Sequence, residues 1–313
     1  MNRDALYAIV GPTAVGKTKA AFELAGAVGG EIISVDSRQV YRYLDVGTDK
    51  ISAQERRIIA HHLIDVADPD EVFTVADFVK YASDSVRRIH NRGKIPILAG
   101  GTPLYYKALE GNMLSDMLPK DDNIRGALGD EAARNGLDSL YDELKAADPD
   151  SAARIHRNDQ FRITRALELY RITGRSATSI YAEGKKIGGD TQIFYFGITS
   201  PRENLYRKIE KRVEEQFHSG YIEEVEWLIR NGYSRELPAL KGFGYREIAA
   251  YLMGEMSFDD AMNGDVRSTK AFSRRQMTWF RQFSPIVWYD FTEISLSEAV
   301  RNMADIISRS TPR

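Results

Sequence analysis

The sequence predicts an α/β fold in which helices flank a parallel sheet and a mostly helical domain is inserted between two of the strands. Short apolar runs alternate along the chain with helical patterns, which is typical of parallel sheets. The first of these runs leads directly into a glycine-rich loop and then a helix. Residues 113–190 show mostly helical patterns before the next apolar run. We therefore expect a sheet domain built from residues 1–112 and 191–313, with residues 113–190 inserted.

Each predicted element has a local signal. The apolar run at residues 5–10 reads as a buried strand, and the helix at 19–28 stops at Gly29-Gly30. The other predictions are a strand at 31–35, an amphipathic helix at 73–91, strands at 95–99 and 193–198, helices to about residue 283 and a last strand at 286–289. Ligands of parallel sheets bind beyond the carboxyl ends of the strands. The polar or glycine-rich segments that follow the first three strands are therefore expected to face one crevice.

The composition restricts the classes of chemistry. The 313-residue chain has no cysteine, which excludes disulfides, thiolate zinc sites and cysteine nucleophiles, and its five histidines show no metal-ligand spacing. No apolar run approaches the roughly 20 residues that span a bilayer, and no signal peptide is evident. We therefore expect a cytoplasmic protein without membrane contact. Acidic residues are in excess in the first half and basic residues in the second, which favours a polyanionic partner.

The loop after the first strand carries the clearest chemical signal. It reads Gly-Pro-Thr-Ala-Val-Gly-Lys-Thr, the pattern of phosphate-binding P-loops, and it lies between a strand and a helix as that motif requires. Its glycines let backbone amides point at phosphate oxygens, Lys17 would neutralise phosphate charge, and the Thr18 hydroxyl would coordinate Mg²⁺. We expect a diphosphate to be bound by Gly11, Pro12, Thr13, Ala14, Val15, Gly16, Lys17 and Thr18.

The loop alone does not identify the reaction. ATPases and kinases normally hold Mg²⁺ with a second acid at the end of another strand. The third strand ends instead in Gly100-Gly101-Thr102. Asp36, at the end of the second strand, and Asp65 both fit the role of that acid. Asp36 fits a general base or a turn-forming side chain equally well.

Several segments form one recognisable set. They are residues 11–18, residues 36–41, residues 100–105, Asp159 with Arg162, Arg165, Ala166, Leu167 and Glu168, residues 244–247, and Arg275-Gln276 with Thr278-Trp279. Together they resemble the bacterial tRNA dimethylallyltransferases, from about residue 5 to about residue 283. The resemblance implies transfer of a dimethylallyl group from its diphosphate to the exocyclic amine of the adenosine just 3′ of the anticodon.

The resemblance also implies a role for each part of the crevice. The P-loop, with Mg²⁺ at Thr18, would hold the diphosphate leaving group of dimethylallyl diphosphate, so that no γ-phosphate is needed. Asp36 matches the family's general base, and Thr102 matches the position that orients the reacting groups. Arg212 resembles a family residue on the donor's pyrophosphate, although a solvated helix face also explains it.

A basic helical segment predicts the contact with RNA. Four basic side chains form one stripe of this helix, and four aromatic side chains lie opposite, so that one face would pack and the other would follow phosphates. The basic stripe is Arg267, Lys270, Arg274 and Arg281, and the aromatic side is Phe272, Trp279, Phe280 and Phe283. Adding the family's positions, we expect the tRNA anticodon stem-loop to contact Asp36, Ser37, Arg38, Gln39, Thr102, Arg125, Arg162, Arg165, Gly244, Tyr245, Arg246, Arg274, Arg275, Gln276, Thr278, Trp279 and Arg281.

Three other functions stay open at this point. An adenylate isopentenyltransferase would share the P-loop, Asp36 and Thr102 but would need neither the inserted helices nor the basic face. A small-molecule kinase would need ATP. An RNA-binding module would leave the P-loop unused. For the leading interpretation, we expect a protein that acts as a monomer on tRNA and dimethylallyl diphosphate.

Overall fold

The computed structural model describes residues 6–111, 113–114, 120–183, 186–187 and 191–310. The chain forms two compact units: Met1–Glu110 with Asp190–Arg313, here the sheet unit, and Gly111–Gly189, here the inserted unit. The domain bounds predicted from the sequence lie within two residues of these. Within the described ranges, no helix combines the length and the apolarity needed to cross a bilayer.

The six strands of the sheet unit form one parallel sheet. In the described part of the chain the strands are β1 Leu6–Val10, β2 Gly30–Ser34, β3 His61–His62, β4 Ile95–Ala99, β5 Met113–Leu114, β6 Lys186–Ile187, β7 Ile193–Thr199 and β8 Ile286–Asp290. The sheet has the order β3-β2-β4-β1-β7-β8, and each neighbouring pair is parallel. With helices around it, this sheet confirms the predicted α/β class.

Helices account for most of the remaining described residues. They are α1 Lys17–Val28, α2 Ala53–Ile58, α3 Val75–Asn91, α4 Pro103–Leu109, α5 Asp122–Asn135, α6 Leu137–Ala147, α7 Pro149–Arg154, α8 Gln160–Thr173, α9 Ala177–Glu183, α10 Arg202–Phe217, α11 Tyr221–Arg230, α12 Tyr245–Leu252, α13 Phe258–Phe280 and α14 Leu296–Ser310. Several of these helices begin at a side-chain N-cap. Thr74, for example, forms a capping box with Asp77 at the start of α3.

The strand order positions the site. Strand β1 is buried along its whole length and pairs with β4 on one side and β7 on the other, which explains its unbroken apolar sequence. Strand β4 also pairs with β2. The carboxyl ends of β1, β4 and β2 are therefore neighbours, and the P-loop, residues 100–102 and Asp36 follow them directly.

Helix α14 is an element that the sequence analysis did not include. It follows the last strand and packs against α1. Ala299, Met303 and Ile307 are buried on its inner face. Their spacing of four residues is a helical signal that the sequence already contained.

The basic stripe predicted from the sequence lies on α13, but the buried face of this helix differs from the prediction. Phe280 is buried, and so is Phe283 just beyond the helix, whereas Trp279 is 38% exposed. The rest of the buried face is small or polar: Ala261, Gly264, Asp265, Thr269, Ser273 and Gln276. The prediction of an aromatic packing side is therefore wrong for Trp279. Polar side chains can occupy this buried face because they form hydrogen bonds inside the protein. The Thr269 hydroxyl, for example, donates to Asp265 at 3.0 Å.

The inserted unit has its own hydrophobic core. Leu128, Leu140 and Leu144 pack with Ile163 and Leu167 from α8. Strands β5 and β6, near the two ends of this unit, pair in antiparallel fashion. The unit therefore buries its apolar side chains among its own helices.

Candidate active site

The P-loop connects β1 to α1 with its backbone turned towards a cavity. A Cβ atom on Gly11, which has φ of 149°, would overlap the carbonyl oxygen of Ile198, so only glycine fits there. Helix α1 begins at Lys17, and its N-cap residue Gly16 supplies no side-chain hydrogen bond. The first N–H groups of α1 are thus left for a ligand, and a helix N-terminus favours an anion.

Two cations complete the anion site. Lys17 Nζ donates to the Pro12 carbonyl at 2.8 Å, and burial, together with nearby Arg212, lowers the pKa of Lys17 to about 7. Arg212 Nη2 donates to Thr13 Oγ1 at 2.9 Å, and Nη1 lies 3.6 Å from Asp49. Arg212 therefore lies against the P-loop rather than on a solvated helix face, which was the other interpretation of this residue.

Asp36 and Thr102 lie side by side at the ends of β2 and β4. Asp36 Oδ1 accepts hydrogen bonds from the N–H groups of Arg38, at 2.9 Å, and Gln39, at 3.3 Å. The N–H of Ser37, between them, donates to Thr102 Oγ1 at 3.2 Å. Within the described part of the chain, no hydrogen bond or ion pair engages Asp36 Oδ2, and Asp36 lines the cavity. One oxygen thus builds the turn while the other is available for chemistry.

The P-loop, Asp36 and Gly100-Gly101, the two residues before Thr102, line one cavity of about 450 Å³. Its basic lining residues are Lys17, Lys19, Lys208, Lys211 and Arg212, and its acidic ones are Asp36, Asp49 and Glu215. Thr18 also lines the cavity from the exposed first turn of α1. The excess of cations favours an anionic ligand. Over the described residues there is no cluster of three or more metal-ligating side chains, so a cation here would depend on the oxygens of that ligand.

The segment after Asp36 is held by contacts that the sequence analysis did not identify. Gln39 accepts from Ser34 Oγ at 3.0 Å and donates to the Thr48 carbonyl at 3.1 Å. Glu224, on α11, accepts from the N–H groups of Asp45, Val46 and Gly47. A carboxylate that holds three consecutive amides leaves no local sequence signal, because the two segments are far apart in the chain.

Besides Gln39, three predicted tRNA contacts in the sheet unit have side chains engaged inside the protein. Tyr245 is fully buried, and its hydroxyl donates to Glu224 at 2.7 Å. Gln276 is 2% exposed and hydrogen-bonds to the P-loop. The guanidinium of Arg38 stacks on the Phe243 ring at 4.6 Å. For Tyr245 and Gln276 the prediction of a side-chain contact with tRNA conflicts with this burial, and both side chains have structural partners instead.

Other predicted contacts lie at the surface of the sheet unit. Five of them are exposed on or directly after α13: Arg274, Arg275, Thr278, Trp279 and Arg281. Ser37 and Arg246 are exposed as well, and Arg246 pairs with Glu247 at 2.7 Å. Gly244 is buried at the N-cap of α12. The face of α13 that the sequence predicts to meet RNA is therefore open to solvent.

In the inserted unit, two of the three predicted arginines support a buried acid. Glu168 is fully buried and accepts from Arg125 at 2.9 Å and from Arg165 at 2.6 Å. Arg162 is the more accessible one, with a side chain 62% exposed that pairs with Asp159 at 3.3 Å. The paired arginines are thus part of the architecture of this unit.

The chain is similar to known proteins over most of its length. A family model described as IPP transferase matches residues 39–283. The tRNA dimethylallyltransferase of Geobacter metallireducens is 45% identical over 290 residues, 93% of this chain and 94% of the relative, and that of Thermomicrobium roseum is 40% identical over 97% of this chain and 92% of the relative.

Two solved structures also align with nearly the whole of this chain. The full-length tRNA isopentenylpyrophosphate transferase from Bacillus halodurans aligns with a TM-score of 0.72 and 37% identity, covering 98% of this chain and 96% of that one. A eukaryotic dimethylallyltransferase acting on tRNA aligns with a TM-score of 0.80 and 26% identity, covering 98% of this chain and 80% of that one. With this coverage, the chain belongs to the IPP transferase family, whose relatives named above are tRNA dimethylallyltransferases.

Proposed function

We propose that this protein transfers a dimethylallyl group from dimethylallyl diphosphate to the exocyclic amine of the adenosine 3′ of the anticodon in tRNA, and that it releases diphosphate. The observation that carries the proposal is one cavity lined by both the phosphate loop and Asp36, whose neighbour Ser37 donates to Thr102. Strand β4 ends in glycines where a phosphate-transferring P-loop enzyme would hold Mg²⁺ with an acid. The arrangement suits a diphosphate that leaves rather than a γ-phosphate that is transferred.

The P-loop side would bind the donor. Its backbone amides, the N-terminus of α1, Lys17 and Arg212 would hold the diphosphate and stabilise the charge that develops on it as it departs. Mg²⁺ keeps several waters and needs few protein ligands when phosphates are present, so the Thr18 hydroxyl at the cavity fits it. When bound, the ion would supply further positive charge to the leaving group.

The Asp36 side would activate the acceptor. The exocyclic amine of adenine is a weak nucleophile because its lone pair is delocalised into the ring. As the nitrogen bonds to the allylic carbon, the bond from that carbon to the diphosphate oxygen breaks, and the amine proton passes to Asp36 Oδ2. Thr102 would orient the amine and Asp36, since its hydroxyl is already fixed beside the Asp36 turn.

The open face of α13 would bind the acceptor RNA. Its arginines suit phosphate contacts, which position an RNA without reading its sequence. Ser37, exposed beside Asp36, is available to contact a base that is swung out of its stack. We also propose that the protein works in the cytoplasm, where tRNA is modified, and that it acts as a monomer, since the P-loop, Asp36 and the exposed arginines of α13 all belong to one chain.

The test offers the protein competing substrates. It is incubated with dimethylallyl diphosphate, Mg²⁺ and unmodified tRNA carrying adenosine 3′ of the anticodon, and the digested nucleosides are analysed by mass spectrometry. The control tRNA differs only by guanosine at that position. We expect a prenylated adenosine from the first tRNA alone. Prenylation of AMP in preference to tRNA would support an adenylate isopentenyltransferase, and phosphate transfer from ATP would support a kinase.

A further inference from the structure

The side chain of Gln276 joins the two loops of the cavity. Its Oε1 atom accepts a hydrogen bond from the N–H of Thr13 in the P-loop at 2.8 Å. Its Nε2 atom donates to the carbonyl of Gly101 at 2.6 Å. A primary amide donates and accepts at once, which an apolar side chain of the same shape cannot do. The link lies inside the protein, because Gln276 is only 2% exposed.

Each end of this link leads to a different half of the proposed reaction. On the donor side, Thr13 is also held by Arg212 through its hydroxyl. On the acceptor side, Gly101 precedes Thr102, whose hydroxyl accepts from Ser37 beside the Asp36 turn. One amide group therefore stands between the diphosphate loop and the proposed general base.

The fit around this amide is close. A Cβ atom on Gly101 would lie 2.3 Å from Nε2 of Gln276, so the amide of Gln276 would have to shift to make room for it. Removal of the amide would leave the Thr13 N–H and the Gly101 carbonyl without these bonds in a partly buried setting. Unsatisfied buried groups are costly, so both loops would shift to find other partners.

We propose that Gln276 is a positioning residue that sets the P-loop relative to the Asp36–Thr102 pair, and that it does not bind tRNA. The proposal rests on the proposed function. Group transfer is sensitive to alignment, since a displacement of about 1 Å in a supporting residue can lower the rate about a hundredfold. Because α13 carries Gln276 on its inner face and arginines on its outer face, loss of the amide should impair transfer while RNA binding persists.

The experiment compares Gln276→Met with Gln282→Met, the same substitution at an exposed glutamine just beyond α13. Wild-type transfer is measured first, because its absence would refute the proposed function rather than this inference. For Gln276→Met we expect kcat to fall between about tenfold and a hundredfold and the KM for dimethylallyl diphosphate to rise. The Kd for tRNA should stay within about twofold, and Gln282→Met should match the wild type in all three constants.

A second variant addresses the same contact from the other side. Gly101→Ala leaves Gln276 in place but pushes its amide away, so we expect the same loss of kcat with unchanged tRNA affinity. Folding is checked by thermal denaturation, and kinetics are measured well below the midpoint. A raised tRNA Kd with normal kcat in Gln276→Met would show an RNA contact and overturn the proposal. Normal kinetics in either folded variant, or failure of both to fold, would overturn it as well.

Discussion

The two carboxylate oxygens of Asp36 have different tasks. Oδ1 accepts from two backbone N–H groups and so builds the turn after β2, while Oδ2, which no hydrogen bond among the described residues engages, would take the amine proton in the proposed reaction. Replacement by alanine would remove both. Asparagine is a sharper substitution, because its amide oxygen can still accept both N–H bonds while its nitrogen cannot take a proton.

We expect Asp36→Asn to lower kcat by about a hundredfold or more, in the range that loss of a general base produces. The KM for dimethylallyl diphosphate should change little, since the P-loop remains intact. Steady-state kinetics with saturating tRNA measure both constants. The matched control is Asp70→Asn at an exposed position, which should behave as wild type. A near-normal kcat in Asp36→Asn would exclude Asp36 as the base.

Lys17 should make donor binding dependent on pH. Burial lowers the pKa of Lys17 to about 7, so in the free protein its positive charge is lost as the pH rises through that value. A bound diphosphate favours the charged form. We therefore expect binding at pH 8.5 to take up close to one proton through Lys17, and binding at pH 6 to take up almost none.

Calorimetry in buffers of different ionisation enthalpy measures this uptake. The control is Lys17→Arg, because a guanidinium stays protonated at both pH values and keeps the positive charge. The proton exchange that the diphosphate itself undergoes is common to both proteins. If wild type and Lys17→Arg take up the same number of protons at pH 8.5, Lys17 is already charged in the free protein and the expectation fails.

Individual residues were predictable where the signal was local. The P-loop has a fixed pattern over eight residues, and the structure places Asp36 and Thr102 together because their strands are neighbours. Glu224 had no such signal, since its amide partners lie about 180 residues earlier in the chain. The burial of individual side chains could not be predicted from the sequence either. Tyr245 and Gln276 match the family by sequence, but only packing shows that they face inward.

At the scale of elements, α13 is the helix that separates two functions by its faces. Gln276 on the buried face contacts the P-loop and the loop after β4, and Arg274 lies on the exposed face, where it donates to the Tyr206 hydroxyl at 2.8 Å. Helical periodicity placed Arg267, Arg274 and Arg281 at exposed positions, whereas Lys270 of the same stripe is 21% exposed and pairs with Glu210. The prediction for the buried face was wrong because it assumed that aromatic side chains are buried before polar ones. Polar side chains can also be buried when they are hydrogen-bonded.

For this helix we expect Arg274→Ala to weaken tRNA binding about uniformly across tRNA sequences and to reduce the salt slope of the affinity by about one. The reason is that an exposed arginine would meet a phosphate, whose counterions are released on binding. Filter binding or fluorescence titration over a series of salt concentrations measures the slope. Arg301→Ala, at an exposed position on α14, serves as the control. An unchanged slope in Arg274→Ala would remove this residue from the RNA contact.

At the scale of the molecule, the chain forms two units that each bury a core of their own. Phe196, Ile198 and Leu24 belong to the core of the sheet unit, and Leu140 and Leu167 belong to that of the inserted unit. Alternating strand and helix patterns predicted this division, because a break in the alternation marks an insertion. The pair of Arg125 with Glu168 was not predictable, since only the packing of α5 on α8 brings these residues together, whereas Arg165 and Glu168 are three residues apart on α8.

Glu168 provides a way to disturb one unit and spare the other. It is fully buried between Arg125 and Arg165 and also accepts from the N–H of Asp121 at 3.0 Å. In Glu168→Gln the two arginines lose the carboxylate that neutralises them, and weakening hydrogen bonds to a charged group in this way costs about 1.5–3 kcal/mol. We expect the inserted unit to unfold at a lower temperature and tRNA modification to fall. Calorimetric binding of dimethylallyl diphosphate should be unchanged, because the P-loop cavity is lined by the sheet unit alone.

The control is Glu143→Gln, whose partly exposed carboxylate shares Arg171 with Glu131 and should contribute about 1 kcal/mol or less. Loss of donor binding in Glu168→Gln would show that the sheet unit depends on the inserted unit for its site.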